Sequence, residues 1–173
     1  MAIDKKMRFS RVLAALAAAA SCSGVVSLAP VAHRLTGALA PLTKPVAEAL
    51  SPVWAGDYDK AAVRSSIKRE TAEHSVVIYT MDFSLGLGSA LQLLEDHGAR
   101  GVKVVSLGAE WLPGLVADPA KRHELYALTG EMSLPHVFVG GKSIGGLFRG
   151  TPGLAAAARD GSLAAMLEEA GGL

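Results

Sequence analysis

Between residues 75 and 146, short β-rich runs alternate with helical stretches, and the last two runs are joined by a pair of glycines. Residues 75–80 and 102–107 are rich in Val and Ile, as strands buried in a sheet are. Residues 135–139 read as a third strand, Gly140-Gly141 as a tight turn and 142–144 as the antiparallel partner. Residues 88–97 lie between the first two strands as a helix. It turns Ala90, Leu91 and Leu94 inward and Glu95 and Asp96 outward, and Gly98 ends it. Asp118-Pro119 supplies an N-cap and a first-turn proline for a helix that runs to Leu128 and stops at Gly130. A further helix is expected to begin near Asp57 or Asp59, with Ala62, Val63 and Ile67 as its apolar edge. Thr151-Pro152 repeats the cap-and-proline pattern for a short helix, and residues 162–170 form the last one. The order α-β-α-β-α-β-β-α-α implies an α/β fold, a mixed sheet covered by helices.

A chain of 173 residues is long enough for one such domain and an extension. The net charge is +1 and the basic residues are dispersed, so nucleic acid is not an expected partner. The charge is uneven along the chain. Residues 1–56 hold six bases (Lys5, Lys6, Arg8, Arg11, Arg34, Lys44) and two acids (Asp4, Glu48); residues 57–173 hold eleven bases and fourteen acids. The chain therefore divides into an N-terminal extension, 1–56, and a folded domain, 57–173.

The extension has two parts. Its first bases precede an uncharged run of 21 residues, from Val12 to Ala32. Three readings fit this run: a signal peptide with small residues Ser21, Cys22 and Ser23 at a cleavage site, an organellar transit sequence, or a retained membrane helix, since about 20 apolar residues can span a bilayer. In the second part, Pro41, Pro45 and Pro52 separate short apolar pieces and prevent one continuous helix. Such pieces, Trp54 among them, fit grooves on a partner, meet a membrane interface, or fold back on their own domain.

Four stretches carry a resemblance. They are 76–80 leading into Met81-Asp82-Phe83-Ser84-Leu85-Gly86-Leu87, Leu128-Thr129-Gly130 ahead of Ser133-Leu134-Pro135, Gly140-Gly141-Lys142-Ser143-Ile144-Gly145-Gly146, and a closing helix after Arg159-Asp160-Gly161. Over roughly residues 57–173 the chain resembles a glutaredoxin of the thioredoxin superfamily. The resemblance implies a thioredoxin-like, glutaredoxin-type mixed four-stranded sheet flanked by helices, with the apolar extension ahead of it. It also implies a reactive Cys-Pro-Tyr-Cys loop, and here Ser84 and Leu87 stand at the two cysteine positions. The one cysteine of the chain is Cys22, so no intramolecular disulfide or CxxC pair is possible. Disulfide exchange needs a thiolate, which neither a serine hydroxyl nor a leucine supplies.

The other positions that the resemblance implies for glutathione also differ. Met81 stands for a lysine, and Glu131 and Met132 stand where Gln and Arg are common. Leu147-Phe148-Arg149 follow the second glycine pair where polar or acidic residues are usual. A Glu131 carboxylate would repel the glycine carboxylate of glutathione. Pro135 matches the cis proline of the family. Ser84, Leu87 and Pro135 are thus vestigial positions, with no catalytic residue and no cofactor expected. The five histidines lack metal-ligand spacing, so no metal is expected either.

The expected protein is a catalytically inactive glutaredoxin-like domain, a pseudoenzyme. It would serve as an accessory or scaffold subunit of a membrane-associated organellar complex, with a plastid or thylakoid membrane favoured over a mitochondrial one. Its partners would be other protein subunits, touched through Trp54, Phe83, Leu85, Trp111, Leu147 and Phe148. The same apolar residues around the loop could instead pack on one another and close the groove. The alternatives are a glutathione-binding or thiol-disulfide oxidoreductase-related protein that uses a partner's thiol, and a free lumenal or secreted protein after signal cleavage.

Overall fold

Asp59 and Asp118 start the first and third helices by side-chain capping. The Asp59 carboxylate accepts hydrogen bonds from the Ala61 and Ala62 amides at 2.9 and 3.0 Å, and Asp118 accepts from Lys121 N at 2.8 Å. A computed structural model of the chain describes residues 55–108, 118–131 and 133–173. The expectations for Val12 to Ala32, Cys22, Trp54, Trp111 and Met132 lie outside the described residues.

The elements follow the expected order: α1 (Lys60–Glu73), β1 (Val76–Thr80), α2 (Leu87–Asp96), β2 (Val102–Ser106), α3 (Pro119–Thr129), β3 (His136–Val139), β4 (Lys142–Gly146), α4 (Leu154–Asp160) and α5 (Ser162–Glu169). The sheet order is β2-β1-β3-β4, with β1 parallel to β2 and antiparallel to β3. The β3–β4 hairpin slips register between Val137 and Phe138, so that Gly145 faces Val137 and Ser143 faces Phe138.

Every residue of the central strand β1 is buried, and its side chains alternate between two cores. Val76 and Ile78 join Leu94 of α2, Leu154 of α4, and Leu163 and Leu167 of α5 on one face. Val77 and Tyr79 join Ile67 of α1, Leu125 of α3 and Phe138 on the other. Each such side chain contributes about 1.5–3 kcal/mol by leaving water.

Three local expectations need correction. Ala62 is exposed, so the inward edge of α1 is Ile67 and Thr71, with Val63 half-buried. Strand β4 runs two residues further than expected, to Gly146. Thr151-Pro152 does not start a helix. The peptide there is cis, and α4 begins at Leu154 behind Gly153 at φ 88°. The cause is the close crossing of two backbone segments. A Cβ on Gly145 would lie 2.4 Å from the Gly150 Cα, and Gly153 N donates to Ile144 O at 2.8 Å. The chain is still turning at residues where a helix would otherwise begin.

Candidate functional site

The loop after β1 is held at its base and bare at its tip. Asp82 N donates to Gly108 O at 2.9 Å, and the Ser106 hydroxyl donates to the Asp82 carboxylate at 2.5 Å, which ties the loop to the end of β2. Ser84 N donates to Met81 O and Leu87 N donates to Ser84 O, both at 3.3 Å, so the chain coils into the first turn of α2. Phe83 has φ 61°, a conformation that costs a bulky residue energy. Its side chain is 85% exposed and that of Leu85 is 77% exposed.

Gly86 is where this loop meets the other two. A Cβ there would sit 3.0 Å from Pro135 Cδ and 3.5 Å from Leu147 Cδ2. A hydrogen at this position therefore lets α2 start against the proline and the segment after β4. The Leu134–Pro135 peptide is cis. On its other side, a Cβ at Gly146 would lie 2.5 Å from Ser133 Oγ, a buried hydroxyl without a hydrogen-bond partner among the described residues. Ser84, Leu87 and Pro135 are thus brought to one end of the sheet. Phe83 and Leu85 lie at the same end and face solvent. Phe148 is 42% exposed, whereas Leu147 is 5% exposed and packs in the core with Ile144 and Leu154. Leu147 is therefore not a surface contact. It closes the space beneath the loop, because the crossing at Gly145 and Gly150 pulls the chain back onto the sheet.

Beside this end lies a small cavity lined by Leu107, Arg122, Leu125, Tyr126, Glu131, Leu134 and His136. The Glu131 carboxylate accepts from Ser133 N at 3.0 Å and so braces the bend before Pro135. His136 is 1% exposed, with its Nε2 2.7 Å from Ser143 Oγ. Burial pushes its pKa down to about 4, against a smaller upward pull from the Glu131 charge. The ring is therefore neutral at neutral pH.

Two ionic contacts between α1 and α3 were not anticipated from the sequence. Glu124, 1% exposed, accepts from the Tyr58 hydroxyl at 2.6 Å and from Arg64 Nε. Burial alone would raise the Glu124 pKa, but these two bonds and the charges of Arg64 and His123 hold it below the usual carboxylate range. Tyr58 is pushed up to about 12, first by burial and then by its bond to Glu124. Glu70 accepts from Tyr79 OH at 2.8 Å and from Lys121 Nζ at 2.7 Å. The signal for both was opposite charge on two helices, but charge alone does not say which residues meet.

Chemically, the loop offers one hydroxyl and no thiol. Among the described residues, no histidine or carboxylate hydrogen-bonds the Ser84 side chain to prepare it as a nucleophile. No group of three or more His, Cys, Asp or Glu among the described residues is placed to hold a metal ion.

The mixed sheet of order β2-β1-β3-β4 with a helix-covered core on each face defines a thioredoxin-like α/β protein. Solved structures with this architecture include a buckwheat glutaredoxin–glutathione complex, at TM-score 0.54 and 25% identity over 66% of this chain and 94% of that one. Oxidized glutaredoxin 2 from Chlamydomonas reinhardtii matches at TM-score 0.53 and 31% identity, over 67% of this chain and all of the other. The holo form of glutaredoxin C1 from Populus tremula x tremuloides matches at TM-score 0.54 and 26% identity, over 65% and 92% of the two chains. In sequence, the chain is 35% identical over 101 residues to a glutaredoxin of Vernicia fordii, covering 58% of this chain and 86% of the relative. No family model matches the chain. The chain belongs to the glutaredoxin family.

Proposed function

We propose that this is a thiol-disulfide oxidoreductase-related protein that has lost the reaction and acts through contact with other proteins. It would be a silent glutaredoxin-fold subunit in a larger assembly. One observation carries the reading: residues 23–173 contain no cysteine, so the loop between β1 and α2 presents Ser84 and Leu87 and has no thiol to attack a disulfide. The exposed Phe83 and Leu85 support a contact role, because adjacent large apolar side chains on a loop tip gain free energy only when something covers them. The run from Val12 to Ala32 is the part that would reach lipid, on an organellar membrane such as the thylakoid. Among the described residues no helix is long and apolar enough to cross a bilayer.

The test is the size of the native protein in a mild-detergent extract, together with its turnover. The reading predicts migration in an assembly much larger than one chain, and no glutathione-dependent disulfide reduction by the purified protein. A species with the mass of a single chain, or measurable turnover, overturns it.

A further inference from the structure

Ser84 lacks a base, but a second hydroxyl has one. Ser143 on β4 is exposed, and its Oγ lies 2.7 Å from Nε2 of His136, which is 1% exposed. The hairpin makes this contact. Ser143 stands opposite Phe138, and the register slip puts Gly146 opposite His136. Phe138 and His136 alternate with Val137 on β3 and so share a face of the sheet. Ser143 therefore reaches the ring diagonally across the hairpin, and Gly146 has no side chain to stand in its place. Packing holds the ring still. It lies 5.2 Å from the Phe138 ring between centres, and Phe138 in turn meets Tyr79 edge-on at 5.7 Å.

The pair has the parts that activation of a hydroxyl needs. An unaided serine is a poor nucleophile at neutral pH, and a base within hydrogen-bond reach makes it a better one. Burial keeps the His136 ring neutral, so with the ring proton on Nδ1 the Nε2 lone pair accepts the Ser143 proton. The imidazolium formed by that transfer is disfavoured by the same burial and supported by the Glu131 charge. Glu131 and His136 line the same cavity. A well-matched general base contributes about 10²–10⁴-fold, and a base weakened by burial belongs near the lower end of that range or below it. Strand β4 is an edge of the sheet, so a reactant reaches Ser143 from solvent and must arrive already activated.

We propose that Ser143 is a covalent acyl-acceptor site, with His136 as its general base and small activated acyl esters as its donors. In the step, Ser143 Oγ bonds to the acyl carbon, and the bond from that carbon to its leaving oxygen breaks. The hydroxyl proton passes to His136 Nε2 and from there to the leaving oxygen. The site uses neither a thiol nor a second protein, so it stands apart from the contact reading above.

The full-length chain is treated with p-nitrophenyl acetate at pH 7, quenched in acid and mapped by peptide mass. Removal by hydroxylamine tells acetyl esters from acetylated lysines. Ser65 is the internal control, exposed on α1 and hydrogen-bonded to no base among the described residues. Acetyl ester at Ser143 should form at least about tenfold faster than at Ser65. The excess should vanish in His136→Gln, whose fold is checked by circular dichroism. The comparison of the two serines is made within the wild-type chain, so it decides the matter even where the variant fails to fold. Equal labelling of the two serines, or an excess at Ser143 that survives in folded His136→Gln, overturns the proposal.

Discussion

Glu124→Gln probes the contact that pins the start of α1 to α3. The carboxylate is 1% exposed and takes hydrogen bonds from Tyr58 and Arg64. A glutamine keeps the volume and an acceptor for the Tyr58 hydroxyl, but loses the charge that faces the guanidinium. Stranding a buried charge costs about 3–5 kcal/mol. Arg64 is half exposed and returns to water, so the cost should be that of one charge-assisted hydrogen bond, about 1.5–3 kcal/mol. With a urea slope of about 2 kcal/mol/M, the unfolding midpoint at pH 7 should fall by about 1 M. The pH dependence fixes the cause. The folded pKa of Glu124 lies below its ordinary value of 4.5, so its stabilisation is fully present above about pH 4.5 and is lost as pH falls through the folded value. Urea unfolding of both proteins from pH 7 to pH 3 should therefore show the gap between them closing in acid. A gap under about 0.5 kcal/mol at pH 7, or one that stays constant to pH 3, would refute the assignment of Glu124 as a buried ionised anchor.

Three other perturbations test the remaining architecture. His136 has a folded pKa of about 4 against an ordinary value of 6.5, so its neutral form supports the fold above pH 6.5 and that support drains away as pH falls towards 4. The shift corresponds to about 3 kcal/mol; His136→Gln should flatten the stability profile between these two pH values, measured as the urea midpoint. Gly145→Ala places a Cβ 2.4 Å from the Gly150 backbone at φ 92°. Strain and overpacking together should cost about 2–5 kcal/mol in equilibrium unfolding. Leu94→Ala empties a fully buried site between α2 and the sheet and should cost about 2–5 kcal/mol by the same measurement.

The parts of the fold that are written locally were legible in the sequence. Asp59, the Asp118-Pro119 pair and Gly130 each fix a helix end through their own backbone and side chain. The β1 run is buried on both faces, so its unbroken apolar composition is enough to read it as a central strand. What failed depended on distant residues. Thr151-Pro152 has the composition of a helix start, but its conformation follows from the approach of Gly150 to Gly145, five residues before it. Leu147 reads as a surface contact in the sequence because it stands where polar or acidic residues are usual after the second glycine pair, yet the same crossing turns it into the core. Glu124 and Lys121 occupy inward positions of α3 that an apolar pattern would not assign to charged residues, and only the facing Arg64, Tyr58 and Glu70 make those positions tolerable. At the candidate site, the replaced cysteines could be read directly, because chemistry that needs sulfur leaves a visible gap. The exposure of Phe83 and Leu85 could not, because it depends on how far the 81–86 loop stands off the sheet.

The most direct measurement is glutathione-dependent reduction of a mixed disulfide by the full-length protein, with Cys22→Ser as its companion. With no cysteine at residues 23–173, the account predicts a rate equal to the uncatalysed background for both proteins, and any glutathione adduct on the wild type at Cys22 alone. Turnover above background in either protein would contradict it.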